Sequence, residues 1–253
     1  MSAKIKPIYL MADSQLLFWK EHDIPFLQEL SAQLDFPLKA SYIGASNGNI
    51  PEYYDIFTAA METIGIEDCH FIKDFSEKNI EHLNSSSLIL LSGGDTTVGW
   101  ELFKQHQLQD ILARQYLNGC VIVGISAGAV QLGLKGWQIK NNRIDSYPTF
   151  QLVPYVISVH ESGDWPQLNK VVNGDENQRP GIGIPSGGGA IIYPDFTVQP
   201  VRNPLIEIST QKESAFLYPA PDSHASLDET IGRVEKTEPF LMHEIQASSE
   251  QIH

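Results

Sequence analysis

Two stretches of the chain share one grammar, "LILLSGGDTTVGWELF" from Leu88 and "CVIVGISAGAVQLG" from Cys120: an unbroken apolar run, then glycines, then a segment able to begin a helix. A strand with no polar alternation must be covered on both faces, which points to a parallel sheet between helices. The pattern recurs along the chain. Ile5 to Met11, Leu38 to Ile43, Cys69 to Phe71, Leu88 to Leu91 and Cys120 to Val123 read as strands; Trp19 to Leu34, Pro51 to Ile64 and Thr97 to Leu117 read as helices, the second with proline in its first turn. This alternation predicts an α/β fold with a mostly parallel sheet flanked by helices. Beyond Leu152 the runs shorten, and Ala190 to Tyr193, Thr197 to Val201, Leu205 to Ile208 and Ala215 to Tyr218 read as C-terminal antiparallel hairpins on an edge. Residues 1–218 are expected to form a single domain, and 219–253 a polar C-terminal tail that is partly flexible.

The second stretch places Ser126 between Gly124 and Gly128, the spacing G-x-S-x-G. A plain helix N-cap would use the serine but not the two glycines. Glycines at minus two and plus two suit a sharp strand-to-helix reversal that holds a serine Oγ exposed at the end of a sheet, the nucleophile elbow. In the first stretch, Gly93 and Gly94 end a buried strand where bare backbone can approach a ligand. The N–H groups there could supply half of an oxyanion hole, with the Ala127 N–H as the other half; the alternative is a plain glycine-rich turn with Asp95 or Thr96 as N-cap of the next helix. A further loop, "YIGASNGNIPEYY", fits an ordinary turn and is assigned to the rim of such a site.

A serine nucleophile needs a base, usually histidine. Of the eight histidines, His22, His82 and His106 lie in polar helical stretches, His70 in a short strand, and His224, His243 and His253 in the tail. His160 ends the strand-like "FQLVPYVISVH" and so can stand at a strand's carboxyl end, where ligands bind in open α/β sheets. Composition narrows the partners. A formal charge of −14 and a pI near 4.9 disfavour nucleic acid and anionic membrane surfaces, and the N-terminus lacks a secretory h-region, so a cytoplasmic protein is expected. Cys69 and Cys120 are too few for a disulfide framework or a thiolate metal site and are assigned to core packing. The short antiparallel edge is compatible with a homodimer.

"LLSGGDT", "VGISAGA", "LVPYVISVH" and "GIGIPSGGGAIIY", in this order, resemble the serine peptidases related to peptidase E (aspartyl dipeptidase) and cyanophycinase over roughly residues 5–201. The resemblance implies a class I glutamine amidotransferase-like fold with serine at the elbow, and hydrolysis of short or isopeptide-linked peptides without metal or organic cofactor. It implies Ser126 as nucleophile, His160 as base, and Gly94 with Ala127 as oxyanion donors. It also implies a frequent acidic residue on the amino side of the scissile bond, hence a preference for acidic or small N-terminal residues, for which Arg143, Arg179 or Arg202 could supply the cation.

The third position of the triad departs from that family. Where relatives carry glutamate, in patterns like G-I-D-E, this chain reads Gly183-Ile184-Pro185-Ser186. A hydroxyl can accept a bond from an imidazole N–H but offers no charge to an imidazolium. Glu161 and Asp145 are candidate substitute acids, with Asp164, Asp175 and Glu176 also nearby in sequence. Three readings follow: a serine peptidase, a weak or inactive relative that binds a peptide or protein in the same cleft, and an α/β-hydrolase esterase using Asp195 and His224.

Overall fold

The structure, a computed structural model, describes residues 4–141, 143–211 and 214–219. The chain opens with β1 (Ile8–Met11), a 3-10 turn at Ser14–Phe18, the small ribbon β2 (Lys20–Glu21) and β3 (Ile24–Pro25), and helix α1 (Phe26–Ser31). Then come β4 (Lys39–Ile43), α2 (Pro51–Glu62), β5 (Asp68–Ile72), α3 (Glu77–Asn84), β6 (Leu88–Leu91), α4 (Thr96–Gln105), α5 (Leu108–Leu117), β7 (Val121–Ile125) and α6 (Ala127–Leu132). A hairpin of β8 (Lys135–Lys140) and β9 (Arg143–Pro148) leads to β10 (Val156–Val159), α7 (Pro166–Asn173), β11 (Gly181–Ile184), β12 (Gly189–Ile192), β13 (Val198–Val201), β14 (Leu205–Ile208) and β15 (Ala215–Leu217).

The main sheet has the order β13-β12-β1-β7-β6-β4-β5, parallel from β1 to β5, with β12 and β13 antiparallel at one edge. Its central strands β1, β6 and β7 are apolar and buried throughout because both faces are covered. Ile8, Leu10, Ile89, Leu91 and Ile122 pack with Phe103, Leu112 and Leu132 on one side. Their neighbours Tyr9, Met11, Leu88, Leu90, Val121 and Val123 pack with Leu27, Leu30, Phe57 and Met61 on the other. A second sheet, β10-β11-β14-β15, pairs β10 with β11 in parallel and the rest antiparallel, and α7 covers it through Trp165, Leu168, Val171 and Val172.

Three sequence expectations change. The helix expected over Trp19 to Leu34 is helical only at Phe26–Ser31, because His22 and Asp23 take φ of 47° and 67° and turn the chain into the β2–β3 ribbon. The long helix over Thr97 to Leu117 is two helices, broken where Gln107 takes φ of 52°. In an unbroken helix Leu108 would sit roughly 140° round from Phe103; the break lets both reach one core cluster. The expected edge hairpins divide between sheets: β12 and β13 complete the main sheet, while β14 and β15 join the strands that carry His160 and Ser186. The tail from residue 220 onward lies outside the described residues, and with it His224, His243 and His253.

Candidate active site

Ser126 follows the last residue of β7 with φ 50° and ψ −108°, outside the regions an L-residue ordinarily occupies. Its backbone is clamped: the Ser126 N–H donates to the Met11 carbonyl at 2.9 Å, the Val130 N–H to the Ser126 carbonyl at 3.1 Å, and the Gly128 N–H to the Ser92 carbonyl at 3.1 Å. Strain of this kind, on the order of 1–3 kcal/mol, persists only where the surroundings impose it. The flanking glycines are steric necessities. A Cβ on Gly124 would lie 2.7 Å from the Gly128 backbone, and one on Gly128 would strike the Leu91 carbonyl on the neighbouring strand.

The loop after β6 lies against the same point. Gly94, at φ 134°, passes so close to the Ser46 carbonyl that no Cβ could be placed there, and the Asp95 N–H donates to that carbonyl at 2.7 Å. Asp95 is the N-cap of α4, accepting from Thr97 and Val98, so capping and close approach coexist in one loop. Ala127 is the first residue of α6, where a backbone N–H has no acceptor within its own helix.

His160 stands one residue past β10. Its N–H donates to the Ile184 carbonyl at 3.2 Å, and its ring Nδ1 is 3.0 Å from the Ser186 Oγ. The pairing follows from the second sheet: β10 and β11 run parallel with Val159 opposite Ile184, so His160 and Ser186 leave the same sheet end together. Ser126, His160, Gly93 and Gly94 all line one cleft of about 480 Å³. His160 also borders a second cleft of about 440 Å³ lined by Thr96, Trp137, Ser158, Glu161 and Gln167.

The hydrogen bonds of the candidate substitute acids go elsewhere. Glu161 accepts from the Gln167 and Leu168 N–H groups, at 2.8 and 3.0 Å, and from the Ser158 hydroxyl, so it caps the start of α7. Asp145 lies on the β8–β9 hairpin with Gln138 and Lys140. Asp175 is buried against Lys135 and Arg179; burial works against its charge, but the hydrogen bonds from Arg179 and Lys135 outweigh that and hold its carboxyl down at about 2. Neither cysteine is poised as a nucleophile: burial pushes the Cys120 thiol up, and burial followed by Asp68 and Glu62 pushes that of Cys69 up to about 11. Among the described residues no group of three His, Cys, Asp or Glu is arranged to hold a metal.

Two parts of the cleft escaped sequence reasoning. Asp13 lines it and its Oδ2 accepts from the Gly187 N–H at 2.6 Å, beside Ser186. The loop assigned to the rim is a wall, contributing Tyr42, Asn47, Ile50 and Tyr53. The available signal was the recurrence Ile50, Tyr53, Ile56 at helical spacing, offset from the core residues Phe57, Ala60 and Met61.

The sequence profile of Peptidase family S51 matches residues 5–196, a span that includes the elbow, the glycine loop and His160. The chain belongs to peptidase family S51. Two solved structures share the S51 chain's fold. A peptidase from an acI-B1 Actinobacterium superposes with a TM-score of 0.65 at 16% identity, covering 86% of this chain and 96% of that one. A candidate peptidase E protein from Listeria monocytogenes EGD-e superposes with a TM-score of 0.56 at 17% identity, covering 79% of this chain and 100% of that one. No curated protein sequence matches significantly. Membership in S51 makes the chain a peptidase-like hydrolase, and no described helix is long and apolar enough to cross a membrane.

Proposed function

We propose that this S51 member is a serine peptidase acting on short or isopeptide-linked peptides through a Ser126–His160 pair. The observation that carries the reading is the strained φ of Ser126, clamped at the end of β7 in the cleft that His160 also lines. With His160 Nδ1–H donating to Ser186, the ring's Nε2 is the nitrogen left to take a proton. Ser126 Oγ attacks the substrate carbonyl while Nε2 receives its proton; the N–H groups of Gly94 and Ala127 receive the developing oxyanion. Collapse breaks the C–N bond, the imidazolium returns the proton to the leaving amine, and water then opens the acyl-enzyme by the same route.

A second reading, a slow or inactive relative that holds a peptide in the same cleft, draws support from Ser186. His160's ring is paired with a neutral hydroxyl, and the hydrogen bonds of Glu161, Asp145 and Asp175 all serve other groups. Labelling with a fluorophosphonate separates the two. The peptidase reading expects modification at Ser126, abolished by Ser126→Ala and by His160→Ala; absence of labelling in the folded wild type favours the binding reading. The esterase alternative rests on His224, which lies outside the described residues, and the same experiment with His224→Ala tests it.

A further inference from the structure

The cleft beside Ser126 has a wall that the bond-breaking step does not use. Leu17, Tyr42, Ile50, Tyr53, Ile56 and Phe57 line it. Ile50, Tyr53 and Ile56 are 41%, 49% and 36% exposed, although each is large and apolar. Tyr53 and Ile56 lie one turn apart on α2 and Ile50 is its extended N-cap, so the three line the cleft in a row, while Phe57, Ala60 and Met61 are buried. Apolar groups held in a row on a cleft wall lose their contact with water only when something fills the cleft.

The charge of the lining points the same way. Among the described residues the cleft is lined by no Lys or Arg, and its carboxylate is Asp13. The three arginines considered for an acid-binding pocket are placed elsewhere. Arg143 lies on the β8–β9 hairpin, Arg179 is bound to Asp175, and Arg202 reaches the Gly187 carbonyl at 3.5 Å without entering the lining. An acidic side chain entering the cleft would give up water, meet Asp13, and find no lysine or arginine in exchange, the one imidazole there, His160, being already paired with Ser186.

Resting on the serine-peptidase reading above, we infer that the residue donating the acyl group carries a large apolar side chain, seated against Ile50, Tyr53 and Ile56, and that acidic side chains are rejected. The volume of about 480 Å³ lies within the usual range for a small-ligand site, so leucine or phenylalanine enters without repacking the core.

The test compares the para-nitroanilides of leucine, phenylalanine, alanine and aspartate on the full-length protein, with fluorophosphonate labelling of Ser126 run in parallel. The expected order of kcat/KM is leucine and phenylalanine above alanine, and aspartate lowest, with on the order of tenfold or more between the extremes. Ile56→Arg supplies the missing cation at a partly exposed position and should lower the leucine-to-aspartate ratio; Tyr53→Ser should lower the preference for phenylalanine over alanine. Labelled enzyme that prefers the aspartate substrate overturns the inference and leaves the peptidase reading intact. Ratios unmoved by both variants also overturn it, since the stripe would then not be the seat of the side chain. Failure of labelling together with failure to cleave any of the four removes both.

Discussion

The two sides of the candidate catalytic pair are built by opposite means. Ser126 emerges from the middle of a seven-stranded sheet, at a turn whose neighbours have no room for a single extra carbon, and backbone bonds to Met11 and Val130 hold it. His160 and Ser186 are exposed residues at the end of a four-stranded sheet, joined to one another by a side-chain bond. On the first side the position of the reacting atom is a property of the backbone; on the second it depends on side chains whose replacement disturbs little packing. The nucleophile's side should therefore fail by misfolding when its glycines change, whereas replacing the His160 or Ser186 side chain should change rate without changing stability.

The largest effect is expected on rate. Ser126→Ala and His160→Ala should each lower hydrolysis by about 10⁴ or more, and the double variant should be no worse than either alone, because members of such a unit do not contribute additively. Thermal melts should stay near wild type, and a large loss of stability in His160→Ala would break the comparison. Gly128→Ala comes next: its methyl group meets the Leu91 carbonyl inside the sheet, so a loss of about 3 kcal/mol or failure to fold is expected in denaturant titration.

The base's side has its own structural charge, which sharpens the contrast. The folded-state pKa of Asp175 is depressed to about 2, so its contribution is fully present above the unfolded carboxylate value and is lost as pH falls through about 2. The contribution is about 2 kcal/mol by linkage, and in acid titrations Asp175→Asn should flatten that part of the stability curve. Smaller still is the effect of restoring charge. Ser186→Glu should raise kcat on the order of tenfold at neutral pH by stabilising the imidazolium, while Asp145→Asn leaves both rate and stability unchanged, its exposed pair with Lys140 contributing little. A rate loss in Asp145→Asn would restore that carboxylate as the acid.

What the sequence disclosed follows the range of the forces involved. The elbow was legible because its requirement is local: two glycines around a serine after an apolar run state a steric constraint that holds wherever the strand sits. The parallel strands were legible because covering both faces leaves an unbroken apolar run. The break at Gln107 carries no glycine or proline, and the demand that produced it came from Phe103 and Leu108 reaching a common core. The second sheet was illegible for a related reason, since β11 pairs with β10 and β14 across long separations that no local pattern records. Glu161 looked like a candidate acid because it adjoins His160 in sequence, yet its carboxylate is committed to the N–H groups of α7. The apolar stripe of Ile50, Tyr53 and Ile56 was hidden by the opposite circumstance: amphipathic patterning implies burial, and these residues instead face a cleft.

The exposure of Ser186 at the end of β11 has a consequence for descent. Because the side chain there supports no core and the turn is secured by the Asp13 carboxylate on the Gly187 N–H and by Asn203 on the Ser186 carbonyl, exchange between hydroxyl and carboxylate at this position carries almost no folding penalty. A change of this one codon therefore alters the charge beside His160 without altering the fold, which leaves selection there to act on chemistry alone.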